Sequence, residues 1–366
     1  MVARTPSERR GAMVRLVESK TVVRVAPPLL LPAGPYLELA GEEFGRQLLL
    51  TTANNGVDYC LRPDFTLPIA KSYIDDGMIG VPGAFTYLGP IFRQENGIPV
   101  EYDQAGLELL GQPDASSALD QVLTFARWAL AIYDVTAPDI RLGGVGLFEA
   151  FLAAMNISPQ WQARIRHRFG HPVALRRLMD RLTNPEQRIA GAAPDARDTL
   201  IEIVTDNMLS AGLSLVGSRV PEEIADRYLE KQALDAAPIP EDMVQLLVDY
   251  LAISDTPQRA FEQIWKMTQK AGIDLEQPLN TVRSHAAAII ALSPKAKVTF
   301  DASFSPRLDY YTGVVFEMTG EEGDILASGG EYDRLLVRLG ATGPVAASGC
   351  ALWTERLEQE ARRING

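Results

Sequence analysis

The first indication of the fold comes from two neighbouring segments of the chain. They read Tyr87-Leu88-Gly89-Pro90-Ile91-Phe92-Arg93-Gln94-Glu95 and Gln104-Ala105-Gly106-Leu107-Glu108. Both hold short apolar runs, and the first also has aromatic and β-branched residues, which predicts strands over 84–92 and 105–110. Shorter apolar runs at 29–31, 48–52 and 59–61 precede them. The first part of the chain, to about residue 150, is therefore predicted to be mixed strand and turn.

The second of these strands carries polar side chains at alternate positions. Gln104, Gly106 and Glu108 lie on one face, because alternate side chains of a strand point the same way. An amide and a carboxylate accept hydrogen bonds from a cationic amine or an imidazole N–H. The face predicts an amino-acid pocket, although such polar strand residues more often simply face water.

Two further clusters carry residues that suit the same pocket. Upstream lies Leu61-Arg62-Pro63-Asp64-Phe65-Thr66, and downstream lies Leu308-Asp309-Tyr310-Tyr311-Thr312-Gly313. The two tyrosines offer flat walls with polar tips. Arg93, from the first segment, can hold a carboxylate or phosphate with two hydrogen bonds.

The order of the predicted elements indicates an α+β fold. A helix is predicted over 114–133, with Ser116 and Ser117 as caps, and residues 145–292 look mainly helical. Strands return from Lys297, and a last helix is predicted over 351–363. We expect a sheet core formed by 1–145 and 293–366 and a mainly helical insertion at 146–292; two independent domains in series are the alternative.

Composition narrows the class of protein. The chain has 366 residues and a net charge of −12, which disfavours a nucleic-acid partner. Two cysteines and three histidines show no disulfide framework or metal-ligand spacing, so no metal is expected. We find neither a membrane-spanning apolar stretch nor a secretory signal, and expect a cytoplasmic protein.

The clusters together resemble the catalytic core of class II aminoacyl-tRNA synthetases, most closely the histidyl type. Phe92-Arg93-x-Glu95 resembles motif 2, and the segment from Gly349 to Leu357 resembles motif 3. Leu308-Asp309-Tyr310-Tyr311 with Val315-Phe316-Glu317 is similar to the histidine-specific signature. Ser328-Gly329-Gly330-x-Tyr332-Asp333 matches the Gly-Gly-Arg-Tyr-Asp segment except at one residue. The resemblance implies an antiparallel sheet flanked by helices.

Several positions depart from the synthetase pattern on the ATP side. Pro306 stands where the family has an arginine that assists adenylate formation, and Arg307 takes the adjacent glycine position. The loop after motif 2 is short, Asn96-Gly97-Ile98-Pro99-Val100. Trp353 replaces a motif 3 glycine, Glu331 replaces the arginine of Gly-Gly-Arg-Tyr-Asp, and, with nine residues after Leu357, no tRNA-binding domain is expected. These departures predict a chain without catalytic residues or cofactor.

The amino-acid side of the pattern is better kept. The resemblance implies that Asp64, Thr66 and Gln104 hold a ligand's α-amino group and that Glu108 and Tyr311 contact its imidazole. Asp64 is shorter than the usual glutamate. The candidate histidine-binding residues are Asp64, Thr66, Arg93, Gln104, Glu108, Tyr310 and Tyr311.

A histidine pocket without the ATP groups is typical of the regulatory subunits of short-form ATP phosphoribosyltransferase, a family that the chain resembles. Leu-Arg-Pro-Asp-Phe-Thr at 61–66 also fits that family. The resemblance implies a separate catalytic subunit as partner, L-histidine as effector and histidine feedback. It also implies a homodimer, through residues 27–44, inside a hetero-oligomer.

Three alternatives stay open at this point. The chain could be a free-standing enzyme that forms an aminoacyl adenylate, or an amino-acid-sensing binding module. Histidine could also bind between the two subunit types. The arginines between 164 and 188 are interpreted as a solvated helical face, with a docking surface for an acidic partner as the alternative.

Overall fold

The computed structural model describes residues 4–19, 21–39, 44–54, 56–94, 99–183, 200–201, 204–205, 224–225, 228–229, 238–306 and 310–365. The chain divides into two compact units. Unit 1 comprises Met1–Phe151 and Leu251–Gly366, and unit 2 comprises Leu152–Tyr250. The insertion predicted at 146–292 extends beyond unit 2 at both ends. Residues 146–151 and the helices after residue 251 belong to unit 1.

Twelve helices lie within the described residues. They are α1 (Pro6–Val17), α2 (Gly34–Leu39), α3 (Thr66–Asp75), α4 (Ala115–Ile132), α5 (Val145–Ala154), α6 (Pro159–Arg166), α7 (Pro172–Thr183), α8 (Glu241–Leu251), α9 (Pro257–Lys270), α10 (Glu276–Leu292), α11 (Asp333–Arg338) and α12 (Thr354–Asn365). The strands are β1 (Val23–Arg24), β2 (Leu30–Pro32), β3 (Leu50–Thr52), β4 (Asp58–Leu61), β5 (Gly83–Phe92), β6 (Glu101–Leu110), β7 (Asp139–Gly144), β8 (Ser254–Asp255), β9 (Lys297–Asp301), β10 (Val314–Thr319), β11 (Ile325–Glu331) and β12 (Ala347–Trp353).

Unit 1 is built on a nine-stranded sheet with the order β1-β5-β6-β12-β11-β10-β7-β9-β8. Neighbouring strands run antiparallel except β1 with β5 and β7 with β9, which are parallel. A second, three-stranded antiparallel sheet has the order β2-β4-β3. The sheet is therefore mixed, and its central strands β5, β6, β12, β11 and β10 form the predicted antiparallel core.

Helix α4 shows how the sequence pattern determines packing. Its predicted apolar stripe at positions 119, 122, 123, 126 and 130 is buried, and the helix packs on β12 and α10. Its N-cap is Asp114, whose carboxylate accepts a hydrogen bond from the Ser117 N–H at 3.2 Å. The prediction that Ser116 or Ser117 caps this helix was wrong, because the N-cap lies two residues before Ser116 and Ser117 supplies the capped N–H instead.

The C-terminal helix also begins later than predicted. Residues 351–353 complete strand β12, whose register pairs Trp353 with Gln104, and helix α12 starts at Thr354. The predicted helix over 351–363 thus included three residues that belong to the strand. Their burial between two neighbouring strands explains the difference.

Neither a membrane-spanning helix nor a metal site is expected from the sequence. No helix among the described residues is long and apolar enough to cross a membrane. The same residues contain no group of three His, Cys, Asp or Glu side chains arranged to hold a metal ion. Of the arginine cluster, Arg176 and Arg177 lie exposed on α7, whereas Arg188 and the side chain of Arg181 are outside the described residues.

Candidate functional site

Glu108 is the centre of the candidate site. It lies on β6, between β5 and β12, and is 1% exposed. The Thr66 hydroxyl donates a hydrogen bond to its Oε1 at 2.6 Å, and the Tyr332 hydroxyl donates to its Oε2. The Tyr87 hydroxyl lies 3.4 Å from Oε1. Hydroxyl groups from a helix, the neighbouring strand and the residue after β11 therefore surround one carboxyl group.

Two glycines make room for this arrangement. Gly349 of β12 lies opposite Glu108 in the strand register, and a Cβ at Gly349 would overlap Oε2 of Glu108. Gly106 lies two residues before Glu108 on the same face, and a Cβ there would overlap the Tyr87 hydroxyl. Both positions therefore require glycine because buried polar groups occupy the space of a side chain.

Burial has the largest effect on the pKa of Glu108. Its pKa is raised from 4.5 to about 8 by desolvation, against which the hydrogen bonds from Thr66 and Tyr332 act. Nearby Asp64 raises this pKa further. At neutral pH the group is therefore mainly protonated, and a ligand that brings a positive charge or N–H donors would favour its ionisation.

Asp64 and Arg93 form a second polar group in the site. Asp64 is buried just before α3, where its Oδ1 accepts a hydrogen bond from the Leu67 N–H at 3.1 Å. Burial raises the pKa of Asp64, and the charge of Arg93 opposes that shift. Arg93 donates from Nε to the Pro63 carbonyl at 2.6 Å and lies 5.0 Å from the centre of the Phe44 ring. Arg93 thus holds the segment that carries Asp64.

Gln104 lies further along β6, on the same face as Glu108. It is 2% exposed and stands opposite Gly89 of β5 and Trp353 of β12. Its Oε1 has no hydrogen-bond partner among the described residues. A buried amide oxygen without a partner loses its hydration without compensation, so this acceptor suits a ligand that brings a donor.

A group of tyrosines closes the site from the β10–β11 side. Tyr310 and Tyr311 have ring centres 5.2 Å apart, and they lie 5.8 and 6.4 Å from the ring of Tyr332. Tyr310 is buried and Tyr311 partly so. Tyr332 connects this aromatic wall to Glu108 through its hydroxyl.

The seven predicted residues thus come together to different degrees. Thr66 and Glu108 are hydrogen-bonded, and Tyr310 and Tyr311 reach Glu108 through Tyr332. Asp64 and Arg93 contribute electrostatically, and Gln104 shares the face. The sequence interpretation gave no role to Tyr332 or Tyr87. The position of Tyr87 follows from the strand register, which places it opposite Gly106. The position of Tyr332 depends on where the chain leaves β11.

The positions that depart from the synthetase pattern have structural contacts of their own. Glu331 accepts a hydrogen bond from the Val314 N–H at 2.8 Å, which fixes the start of β10. The Trp353 ring is 9% exposed, and its Nε1 has no partner in the part of the chain that the structure describes. Pro306 is buried. Glu95–Ile98 and Arg307–Asp309, which belong to the predicted motifs, lie outside the described residues.

Comparison with known proteins agrees with this architecture. A family model described as histidyl-tRNA synthetase matches residues 2–194 and 225–357. An ATP phosphoribosyltransferase regulatory subunit from Rhizobium rhizogenes is 34% identical over 362 residues, which cover 95% of this chain and 96% of the relative. One from Agrobacterium fabrum is 34% identical over 364 residues, with 96% of each chain covered. The chain belongs to the family of ATP phosphoribosyltransferase regulatory subunits.

Solved structures show the same fold. An ATP phosphoribosyltransferase regulatory subunit/histidyl-tRNA synthetase from Bacillus halodurans C aligns with a TM-score of 0.67 at 20% identity, covering 98% of this chain and 79% of that one. A histidine–tRNA ligase subunit from Alicyclobacillus acidocaldarius gives a TM-score of 0.57 at 23% identity, covering 100% and 96%. The predicted class II synthetase-like fold is confirmed.

Membership in the ATP phosphoribosyltransferase regulatory subunit family also decides between the alternatives for the role of the chain. The chain is a regulatory, non-catalytic subunit, as the sequence predicted, and the family name implies a regulatory role in histidine biosynthesis. The synthetase-like fold therefore serves regulation in this family.

Proposed function

We propose that this regulatory subunit binds L-histidine at Glu108 and conveys feedback to a separate, short-form catalytic subunit of ATP phosphoribosyltransferase in the cytoplasm. The observation that carries the proposal is the unpartnered Oε1 of Gln104, buried on the face that also holds Glu108. An acceptor and a carboxyl group on one face match the two N–H-bearing ends of histidine.

The α-amino group of the ligand fits the Gln104 end of the site. An ammonium group has three donors and no acceptor, and Gln104 Oε1 accepts without an internal competitor. The buried Asp64 carboxyl group supplies negative charge on ionisation. Thr66 offers its hydroxyl oxygen while it donates its own proton to Glu108. Each of the three groups thus offers an oxygen to the ammonium.

The imidazole fits the Glu108 end, between the aromatic wall and the strand. A neutral or protonated imidazole presents an N–H to the Glu108 carboxylate, and Tyr311 bounds the same space. Since burial raises the pKa of Glu108 to about 8, the carboxyl group ionises most readily when this donor is present. The site should therefore favour a ligand with an N–H donor over an apolar isostere.

Feedback requires a coupling between histidine binding here and substrate binding in the partner. Such couplings are typically about 1–3 kcal/mol and reciprocal, so histidine binding must tighten when substrate binding weakens. The arrangement of the complex that histidine favours would be the inactive one. The subunit is also expected to activate its partner in the absence of histidine.

A homodimer within the complex is supported by an exposed apolar patch on and around the small sheet, whose register places Leu30 and Leu50 on opposite faces. The small sheet and the segments next to it expose several large apolar side chains at 42–55%. They are Leu29, Leu30, Leu37, Leu50 and Val57. Apolar surface of this kind is typical of an interface, and a second copy of this chain is the proposed occupant because the patch includes the predicted dimer segment 27–44.

The test is a reconstituted reaction. This chain is mixed with a short-form catalytic subunit from the same source, and phosphoribosyl-ATP formation is measured with and without L-histidine. We expect turnover to rise with this chain and to fall with histidine. Glu108→Ala and Tyr311→Ala should abolish the histidine effect while activation persists, and the exposed Glu101→Ala serves as the matched control.

Two results would redirect the proposal. Histidine inhibition that persists in Glu108→Ala and Tyr311→Ala would move the effector to another site, such as the boundary between the two subunit types. A competent partner that shows no response to this chain, together with histidine-dependent pyrophosphate exchange by the chain alone, would favour adenylate chemistry.

A further inference from the structure

A second polar cleft lies on the same sheet, on strands that the candidate site does not use. It has a volume of about 420 Å³ and is lined by side chains of β7, β9 and β10. The strand register arranges them in two rows across the sheet. One row holds Lys297, Asp139 and Thr319, and the other holds Thr299, Arg141 and Glu317.

The charged side chains of the second row, Arg141 and Glu317, contact each other. Arg141 donates from Nη2 to Glu317 Oε2 at 2.8 Å, and its guanidinium lies 4.0 Å from the centre of the Phe304 ring. Asp301 lies 3.9 Å from Nη1 of the same arginine. Glu317 is 9% exposed, so its charge is neutralised inside the protein and not by solvent. These charges therefore bind each other.

The first row is different, because its charges have no ion-pair partner among the residues that the structure describes. Lys297 and Asp139 are exposed and occupy paired positions on the parallel strands β9 and β7. Neither forms an ion pair within 4 Å with any residue that the structure describes. The strand pairing places the Lys297 ammonium and the Asp139 carboxylate side by side on the cleft, and because both are exposed a ligand can reach them.

The groups around these two charges favour a small molecule. The hydroxyl groups of Thr299 and Thr319 line the cleft, and Ile325 supplies an apolar side at one end. The cleft volume falls within the usual range for small-ligand sites, roughly 300–1,000 Å³. An adjacent carboxylate and ammonium with an apolar side match a ligand that carries both charges and a short side chain.

We propose that this cleft is a second effector site that binds the zwitterion of a free α-amino acid. Lys297 pairs with the ligand's carboxylate, Asp139 pairs with its ammonium, and Ile325 contacts its side chain. This site is separate from the one at Glu108, and the proposal does not depend on histidine binding there.

A ligand in the cleft would change the electrostatic environment of the candidate site at Glu108. The β10–β11–β12–β6 registers place Glu317, Ser328, Ala351 and Gly106 in one row on one face of the sheet. The negative charges of Glu108 and Glu317 both raise the pKa of Tyr311, after burial. The two opposite charges of a zwitterion beside the Arg141–Glu317 pair would therefore change the field around Tyr311.

The test uses the full chain and calorimetric titration with each protein L-amino acid in turn. For every amino acid that binds, its amide and its N-acetyl derivative are also titrated. We expect at least one amino acid to bind and both derivatives, each lacking one charge, to bind at least tenfold more weakly. Asp139→Asn and Lys297→Met should each weaken binding at least tenfold, whereas the exposed controls Asp242→Asn and Lys270→Met should leave it unchanged.

A variant of the first site separates the two proposals. Binding that is lost in Glu108→Gln but unchanged in Asp139→Asn and Lys297→Met belongs to the Glu108 site and overturns this inference. Absence of binding by every amino acid at millimolar concentration overturns it as well. Binding that survives Glu108→Gln and is lost in the two cleft variants supports it, whatever the outcome at Glu108.

Discussion

Gly349 of β12 lies directly opposite Glu108 of β6, and the buried carboxyl group fills the space that a side chain at Gly349 would need. A Gly349→Ala substitution must therefore displace Glu108 from its hydroxyl partners or separate the strands. Overpacking of this kind costs about 1–3 kcal/mol. We expect a lower free energy of unfolding by that amount and loss of histidine binding, measured by denaturant unfolding and calorimetry.

The matched control for this variant is Gly343→Ala. No atom lies within 4 Å of a Cβ at Gly343, so the substitution should change neither stability nor binding. If Gly349→Ala binds histidine as the natural chain does, Glu108 is not part of the ligand site.

Glu108 should also make stability depend on pH. Its pKa in the folded chain is about 8 against an ordinary value of 4.5, so the folded state retains a proton that the unfolded state loses. Stability from this group is complete below pH about 4.5 and is lost as pH rises through about 8. The slope is at most about 1.4 kcal/mol per pH unit for one proton.

Glu108→Gln should remove this contribution. The free energy of unfolding of the natural chain and the variant is measured from pH 4 to 9, roughly the window that the linkage relation sets. The difference between them should change in favour of the variant as pH rises, while Glu101→Gln on the same strand should run parallel to the natural chain. Parallel curves for Glu108→Gln would show that this carboxyl group titrates normally.

Tyr332 provides a test of the hydrogen bonds around Glu108. Its hydroxyl lowers the pKa of Glu108, against the larger effect of burial. Tyr332→Phe removes that donor and keeps the ring, so the pKa of Glu108 should rise and the pH midpoint of histidine binding should rise with it. Tyr59→Phe, at a partly exposed position on β4, is the control. An unchanged midpoint would mean that the hydrogen bond does not act on the ligand-binding group.

The sequence predicted the central strands and the polar face because both depend on local patterns. Alternation alone places Gln104, Gly106 and Glu108 together, and the register shows that their strand neighbours are glycines or aromatic residues except for Ala351. The contact between Tyr332 and Glu108 could not be read in this way. The two residues are 224 positions apart, and their meeting depends on how β11 pairs with β12 and β12 with β6.

Other elements were missed for related physical reasons. Strand β7 lies between α4 and α5 and has only six residues, and the sequence analysis predicted no separate strand there. A pair of glycines is typical of a turn, but Gly329 and Gly330 both lie in β11. A Cβ at Gly329 would overlap the Gly349 carbonyl, so close strand approach and not a turn requires glycine there.

The apolar patch on the small sheet predicts an oligomeric state. Leu30 is 48% exposed and Leu50 is 55% exposed. The two side chains lie on opposite faces of the small sheet, so replacing both by arginine places a charge on either face that a second copy could contact. We expect a dimer for the natural chain and a monomer for Leu30→Arg/Leu50→Arg by light scattering coupled to size exclusion. Ile290→Arg, at an exposed position on α10, should remain dimeric. A natural chain that is monomeric across the accessible concentrations would remove the patch from consideration as a homodimer interface.

A variant of Gln104 can test the stability of the chain and its binding of histidine separately. Its buried Oε1 has no partner among the described residues, and an unsatisfied buried group costs about 1–3 kcal/mol. Gln104→Leu keeps a similar volume and removes that cost, so the free energy of unfolding should stay equal or rise. Histidine binding should nevertheless weaken at least tenfold, because the ammonium group loses its acceptor. Gln269→Leu, on the exposed side of α9, should change neither quantity. A Gln104→Leu variant that is more stable and still binds histidine normally would show that the amide does not hold the ligand.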